Sequence, residues 1–86
     1  MNRHIEVTVS DGHVCVAIDD YELKDFVEDF LTEERDLEHD FCQESFDEGR
    51  TIYTLHFPMD VDFESVSEAV QELDSNEIER IWQLNN

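Results

Sequence analysis

Basic residues are scarce in this chain, which has one Lys and four Arg among 86 residues. Against them stand 24 Asp and Glu, so the formal net charge is −19. Direct binding of DNA or RNA depends on Lys and Arg that displace counterions from phosphates, and this composition excludes it. Anionic lipid surfaces repel such a chain for the same reason. The partner that the charge favours is therefore a basic protein.

Glycine, cysteine and long apolar runs are scarce as well. With two Gly, the chain has no glycine-rich loop to cradle a phosphate. Cys15 and Cys42 are predicted to be reduced thiols, which favours a cytoplasmic location, in the host cell if a phage encodes the chain. No run approaches the roughly 20 apolar residues of a membrane span, and the amino-terminal segment lacks the pattern of a signal peptide.

Apolar residues nevertheless make up 40% of the chain, enough for the core of one small domain over residues 1–86. Alternating residues predict two strands, "HIEVTVS" and "VCVAI", joined in a hairpin at Asp11-Gly12. A third strand, "RTIYTLHFP", is expected to turn Leu55 inward and His56 outward.

Two amphipathic helices are predicted between and after these strands. The first follows a cap at Asp19 or Asp20, and the second begins near Asp62. The apolar stripe of the first helix consists of Leu23, Phe26, Val27, Phe30 and Leu31.

Two segments are harder to assign. Residues 37–49 are predicted to form an irregular loop or a short helical turn with Phe41 and Phe46 turned inward. Protrusion of the two rings as contact points is the alternative. Residues 77–84 suit either a strand or a helix, and the strand is favoured. The predicted fold is α+β in the order β-β-α-β-α-β, a mostly antiparallel sheet with two helices on one face. An exposed last strand bearing Trp82 would let two copies pair as a homodimer.

Neither catalysis nor calcium binding is indicated. No nucleophile motif surrounds either Cys, so no catalytic residue is predicted and the chain is not expected to be an enzyme. The segment "DVDFESVSEAVQ" begins like a calcium-binding loop. It carries Ser65 where the loop needs Gly and Gln71 where it needs Glu.

A zinc site has partial support. His39 and Cys42 stand three residues apart, a spacing found in zinc sites, but a structural zinc ion needs about four ligands. His13 and Cys15 complete the set only if the fold brings the two pairs together. We therefore predict no metal site and no cofactor.

The strongest signal is the distribution of charge. From Asp19 to Glu48 there are 14 acids and two bases, whereas the rest of the chain carries ten acids and three bases. On the first helix, like charges three or four residues apart each destabilise the helix by ~0.2–0.5 kcal/mol. Acids at its carboxyl end also oppose the helix dipole. A helix that repels itself in this way suggests that a partner uses the charge.

The spacing of these acids suggests the kind of partner. Carboxylates three or four residues apart on a helix stand ~5–6 Å apart at Cβ, similar to neighbouring phosphates along a nucleic-acid strand. In size, net charge and this spacing over residues 19–48, the chain resembles the small acidic DNA-mimic proteins of phages and mobile elements. That group includes anti-restriction proteins, anti-CRISPR proteins and inhibitors of uracil-DNA glycosylase.

The resemblance implies a shared strategy and not a shared fold. It implies a non-catalytic inhibitor that occupies the basic groove of a DNA- or RNA-binding or -cutting protein, with a host defence effector of the CRISPR or restriction type favoured. The predicted contact residues are Glu22, Asp25, Glu28, Asp29, Glu33, Glu34, Asp36, Glu38, Asp40, Glu44, Asp47 and Glu48.

Two other classes of protein share this composition. An immunity protein or antitoxin that neutralises a basic nuclease toxin is also small and acidic. A generic acidic domain of a halophile is acid-rich and Lys-poor, but its acids are expected to coat the whole surface evenly. Concentration of the acids in the middle third of the chain favours the inhibitor.

Overall fold

A four-stranded antiparallel sheet carries helices on one face in the computed structural model, which describes residues 4–85. The spatial order of the strands is β1-β2-β4-β3. The elements are β1 (Ile5–Ser10), β2 (His13–Ile18), α1 (Tyr21–Asp29) continued by a π-helical turn (Phe30–Glu34), β3 (Phe41–Asp47), β4 (Arg50–His56), α2 (Phe63–Gln71) and α3 (Ser75–Asn85). Within residues 4–85, no helix combines the length and the apolar character needed to cross a membrane.

Both hairpins turn on two residues with positive φ. Asp11 and Gly12 have φ of 51° and 83°, and Glu48 and Gly49 have 51° and 81°. Two consecutive positive φ values define the type I′ turn, whose twist matches that of the flanking strands. The predicted hairpin of β1 and β2 is confirmed, with Ser10 opposite His13 at its turn.

Helix α1 begins and packs as its sequence predicts. The Asp20 carboxylate caps it by accepting a hydrogen bond from the Leu23 amide at 3.0 Å. Leu23, Val27 and Leu31 are fully buried against the sheet, and the two Phe of the stripe pack against the same core. The predicted amphipathic stripe is therefore confirmed.

The α+β class and the mostly antiparallel sheet are also confirmed, but two segments differ from the prediction. Residues 41–47 form β3, which pairs with β4 from Phe41–His56 to Asp47–Arg50. The side chains of β3 are mostly exposed and show no alternating burial, so backbone hydrogen bonds to β4 are what hold this strand in the sheet. The prediction that Phe41 and Phe46 turn inward is wrong, since they are 55% and 76% exposed.

The carboxyl-terminal segment is a helix and not a strand. Ile78 is buried in the core, and Ile81 packs against the same core. At the start of this helix, the Asp74 carboxylate accepts a hydrogen bond from the Asn76 amide. Trp82 stacks on the buried His4 ring at 4.5 Å between centroids. The observed order is β-β-α-β-β-α-α, and the homodimer expected through a last strand loses its basis because the sheet ends in β1 and β3.

The helices leave the opposite side of the sheet uncovered. Residues that pair directly across antiparallel strands share a face, and Val7, Val16 and Leu55 mark the face toward the helices. The next pairs along the strands therefore face away from the helices. We call this side the open face; at one end it carries His13, Cys15, Phe41, Gln43 and His56.

Candidate functional site

The end of α1 and the loop that follows it border a shallow, open cleft of about 270 Å³. Asp36 has a φ of 55°, and this left-handed conformation reverses the chain after the helix. The Leu37 amide donates to the Leu31 carbonyl at 2.8 Å, and the Asp40 amide donates to the His56 carbonyl at 2.7 Å. These bonds fold the loop back beside the helix. The residues lining this acidic cleft are Glu28, Asp29, Thr32, Glu33, Glu38 and His39.

The helix turn beside the cleft has unusual geometry. Phe30–Glu34 is π-helical, with wider hydrogen-bonded rings than an α-helix, and such turns are frequent at functional sites. No basic residue lies in this last turn, while Glu33 and Glu34 are exposed there. Carboxylates at a helix carboxyl end face the negative pole of the helix dipole. The free protein is therefore destabilised locally by its own charge at this point.

Among the described residues, Lys24 and His39 contact one edge of the cleft, at Glu28. His39 Nε2 lies 2.9 Å from Glu28 Oε2, and Lys24 Nζ lies 3.7 Å from Glu28 Oε1. Lys24 also pairs with Asp25 at 3.1 Å. Among the residues that the structure describes, no Lys, Arg or His forms an ion pair with the other three carboxylates, those of Asp29, Glu33 and Glu38.

The basic side chains elsewhere are already paired. Arg35 pairs with Glu72, Arg80 pairs with Glu77, and Arg50 Nη1 lies 3.4 Å from Asp19 Oδ2. Between residues 4 and 85, each Lys and Arg thus meets a carboxylate of its own chain. Asp29, Glu33 and Glu38 of the cleft therefore have no Lys or Arg partner among the described residues.

The predicted contact residues separate into groups. Glu28, Asp29, Glu33 and Glu38 meet in the acidic cleft, and Asp25 is half-buried beside Lys24. The remaining residues are exposed: Glu22 in the first turn of α1, Glu34, Asp36 and Asp40 around the cleft, Glu44 and Asp47 on β3, and Glu48 in the hairpin turn. At about 3.3 Å per residue, Asp47 lies roughly 20 Å along β3 from the end at Phe41. The twelve residues therefore do not form one continuous row.

Several acids that follow β4 have structural partners. Asp62 caps α2, and its hydrogen bond from the Ser65 hydroxyl holds the pKa of the carboxyl below its ordinary value. Glu79 Oε1 lies 3.2 Å from the buried His4 ring. Glu72 and Glu77 pair with Arg. Asp60, Glu64 and Glu68 are exposed and have no ion pair within the described residues, so the acidic cleft is distinguished by the closeness of its carboxylates to one another.

A second group of reactive side chains lies on the open face. His13 Nε2 is 3.0 Å from His56 Nδ1, and Cys15 Sγ is 3.4 Å from the same nitrogen. Burial, and to a lesser degree the nearby Asp11, raises the pKa of the Cys15 thiol. Burial and the neighbouring His13 lower the pKa of His56, which favours its neutral form.

The zinc arrangement weighed from the sequence does not form. His39 lies in the acidic cleft, and Cys42 lies on the helix-facing side, where burial raises its thiol pKa against the opposing effect of Lys24. His13 and Cys15 instead meet His56, a grouping that the sequence analysis missed. The available signal was that His13 and Cys15 share a strand face while His56 points away from the core.

Comparison with protein-family models, curated proteins and solved structures finds no match to this chain. Its function is therefore inferred from geometry and charge. Two features of the described residues offer chemistry to a partner or ligand: the acidic cleft and the group of His13, Cys15 and His56.

Proposed function

We propose that this protein is a non-catalytic inhibitor that occupies the basic groove of a DNA- or RNA-binding or -cutting protein. The acidic cleft and the exposed acids around it would contact Lys and Arg that normally hold phosphates. The favoured setting is a phage or mobile element that blocks a host defence effector. The observation that carries the proposal is that Asp29, Glu33 and Glu38 have no basic partner within residues 4–85, where every Lys and Arg is paired with another carboxylate.

Electrostatics explain how such a protein competes with nucleic acid. A net charge of −19 steers the chain toward a basic groove and raises the rate of encounter. Once bound, the partner's cations relieve the repulsion among the carboxylates. This relief is available only in the complex, so it contributes to affinity.

Exposed apolar side chains supply a second kind of contact. Phe46 is 76% exposed, next to Asp47 and Glu48 in the β3–β4 hairpin. Aromatic side chains in protein interfaces commonly contribute much of the binding free energy. An apolar contact beside the acids would add affinity that salt does not screen.

Affinity capture followed by competition tests this function. The immobilised protein is exposed to host-cell lysate, and the bound proteins are eluted with a salt gradient. The expected captured protein is a basic nucleic-acid-binding protein that elutes as salt screens the charges. Purified, it should release a labelled duplex or RNA when this protein is added.

Two triple charge reversals make the test specific. Asp29→Lys, Glu33→Lys and Glu38→Lys together alter the acidic cleft and should abolish competition. Asp60→Lys, Glu64→Lys and Glu68→Lys make the same charge change at exposed positions in and before α2 and should retain most of it. Equal loss in both variants, or a captured protein without affinity for nucleic acid, would contradict the proposal. Capture of a nuclease toxin would favour the immunity-protein alternative.

A further inference from the structure

The open face holds a compact set of metal-binding side chains that the inhibitor function does not use. Strand periodicity places His13 and Cys15 on the same face of β2, and Cys15 stands directly opposite His56 of β4. One donor atom from each of the three residues lies within 4.8 Å of the other two. We infer that His13, Cys15 and His56 bind one divalent transition-metal ion of the zinc type.

The distances suit a tetrahedral ion. Two imidazole nitrogens bound to zinc at ~2.0–2.1 Å stand about 3.3 Å apart, and a nitrogen and a thiolate sulfur about 3.6 Å apart. The structure has 3.0 Å between the two nitrogens and 3.4 Å between Cys15 Sγ and His56 Nδ1. These two distances lie within a few tenths of an ångström of those in a zinc site, and the third pair, His13 with Cys15, lies within 4.8 Å.

His56 is oriented for this role by its neighbours. Its Nε2 donates a hydrogen bond to Gln43 Oε1 at 2.9 Å, which leaves the Nδ1 lone pair directed toward Cys15 and His13. Phe41 stacks on the imidazole with centroids 4.5 Å apart and planes 10° from parallel. Hydrogen bonds to the second nitrogen of a ligating His are the usual means of setting its tautomer and ring orientation.

The surroundings admit a cation and favour it. Cys15 is buried at 4% exposure, while His13 and His56 are half-buried and give access from solvent. The ion would bind the thiolate, so the thiol proton passes to the buffer as the sulfur–metal bond forms. The negative charge of the chain, with Asp11 near Cys15, attracts the incoming cation. Three protein ligands leave a fourth position for water or a partner's side chain.

A plain hydrogen-bonded cluster is the competing account. His13 Nε2–H can donate to His56 Nδ1 without any ion, at the observed 3.0 Å. Such a cluster predicts no thiolate ligation and no stoichiometric metal uptake. Metal titration therefore separates the two accounts.

The test titrates the full chain, stripped with EDTA and dialysed, with Co²⁺ as a spectroscopic substitute for Zn²⁺. We expect one Co²⁺ per chain, with visible bands of tetrahedral coordination and a near-ultraviolet thiolate-to-metal charge-transfer band. Added Zn²⁺ should displace the Co²⁺ and remove both sets of bands. Absence of these bands, or weak bands typical of oxygen ligands, would overturn the inference.

Matched variants locate the ligands. Cys15→Ser should abolish the charge-transfer band, whereas Cys42→Ser, on the other side of the sheet, should keep it. His56→Gln should abolish tetrahedral binding, and His39→Gln should not. Gln43→Leu should lower Zn²⁺ affinity about 10- to 100-fold, because Gln43 positions a ligand.

Because Cys15 is buried, Cys15→Ser can disturb folding, and a second variant at a less buried ligand is therefore needed. Circular dichroism reports the fold of each variant, and His13→Gln changes a half-buried ligand. Loss of tetrahedral Co²⁺ binding in a folded His13→Gln protein supports the site. Retention of that binding at unchanged affinity overturns it.

Discussion

Replacing Glu33 by Lys is expected to stabilise the isolated protein. Glu33 is exposed in the last turn of the α1 segment, four residues after Asp29. The substitution removes one like-charge pair and creates one favourable pair, each worth ~0.2–0.5 kcal/mol. It also places a cation at the helix carboxyl end, worth ~0.3–1 kcal/mol. The gain in unfolding free energy is therefore about 0.7–2 kcal/mol.

Thermal unfolding at low and high salt measures this gain. For a domain of this size, 1 kcal/mol raises Tm by roughly 4–8 °C. Near 20 mM salt the Glu33→Lys protein should melt at least about 3 °C above the wild type. In 1 M NaCl, where the Debye length is about 3 Å, most of the difference should vanish.

The same substitution at Glu64 is the matched control. Glu64 is also exposed but lies in the first turn of α2, where the helix dipole favours an acid. Glu64→Lys changes the net charge equally and should lower stability by ~0.3–1 kcal/mol. A Glu33→Lys protein less stable than the wild type, or a gain that persists in 1 M salt, would refute the claim that the acidic cleft repels itself.

Substitutions at three further positions test how the fold is built. Asp20→Ala should lower the unfolding free energy by ~0.5–2 kcal/mol in urea titrations because α1 loses its cap, and Asp20→Asn should restore most of it. Glu48→Asn should raise it by about 0.5–1 kcal/mol, because Asn adopts the positive φ of a type I′ turn more readily than Glu. The hydrogen bond from the Ser65 hydroxyl is the main cause of the lowered pKa of Asp62 in the folded protein. The ionised Asp62 carboxylate therefore stabilises the fold fully above the ordinary pKa of 3.8, and this contribution is lost as pH falls through the pKa of the folded state. Melting curves recorded at several pH values give the stability of each protein. As pH is lowered below 3.8, the Asp62→Asn protein should lose less stability than the wild type. Equal losses in the two proteins would contradict that assignment.

Elements with strong periodicity were predictable from the sequence. The alternating apolar residues of β1 and β2 and the stripe of α1 lie toward the core. The Asp11-Gly12 turn follows from the positive φ that these two residues adopt. In these segments local preference and tertiary packing act in the same direction.

β3 and α3 were not predictable because tertiary contacts decide them. β3 exposes most of its side chains and is held by backbone bonds to β4 along its whole length. In α3, Ile78, Ile81 and Trp82 suit both periods, and packing against the core and the His4 ring selects the helix. Single-sequence patterns contain neither kind of information.

The candidate sites were likewise only partly predictable from the sequence. The concentration of acids is visible in the sequence, but the cleft that joins Glu38 to Asp29 and Glu33 depends on the reversal at Asp36. The group on the open face depends on the register that sets Cys15 opposite His56. Strand pairing in an α+β fold is a long-range property, so residue spacing alone does not reveal it.

The two proposals make separable demands on the molecule. A bound divalent ion raises the net charge by only one, because Cys15 gives up a proton when it binds, so a charge of −19 becomes about −18. Long-range attraction toward a basic partner would change little on metal loading. If Zn²⁺ nevertheless strongly alters competition with nucleic acid, the cause must be contact at the open face or at the ion's fourth position. Measuring competition with metal-loaded and EDTA-treated protein, and with Cys15→Ser, therefore shows whether the two sites act on one partner or independently.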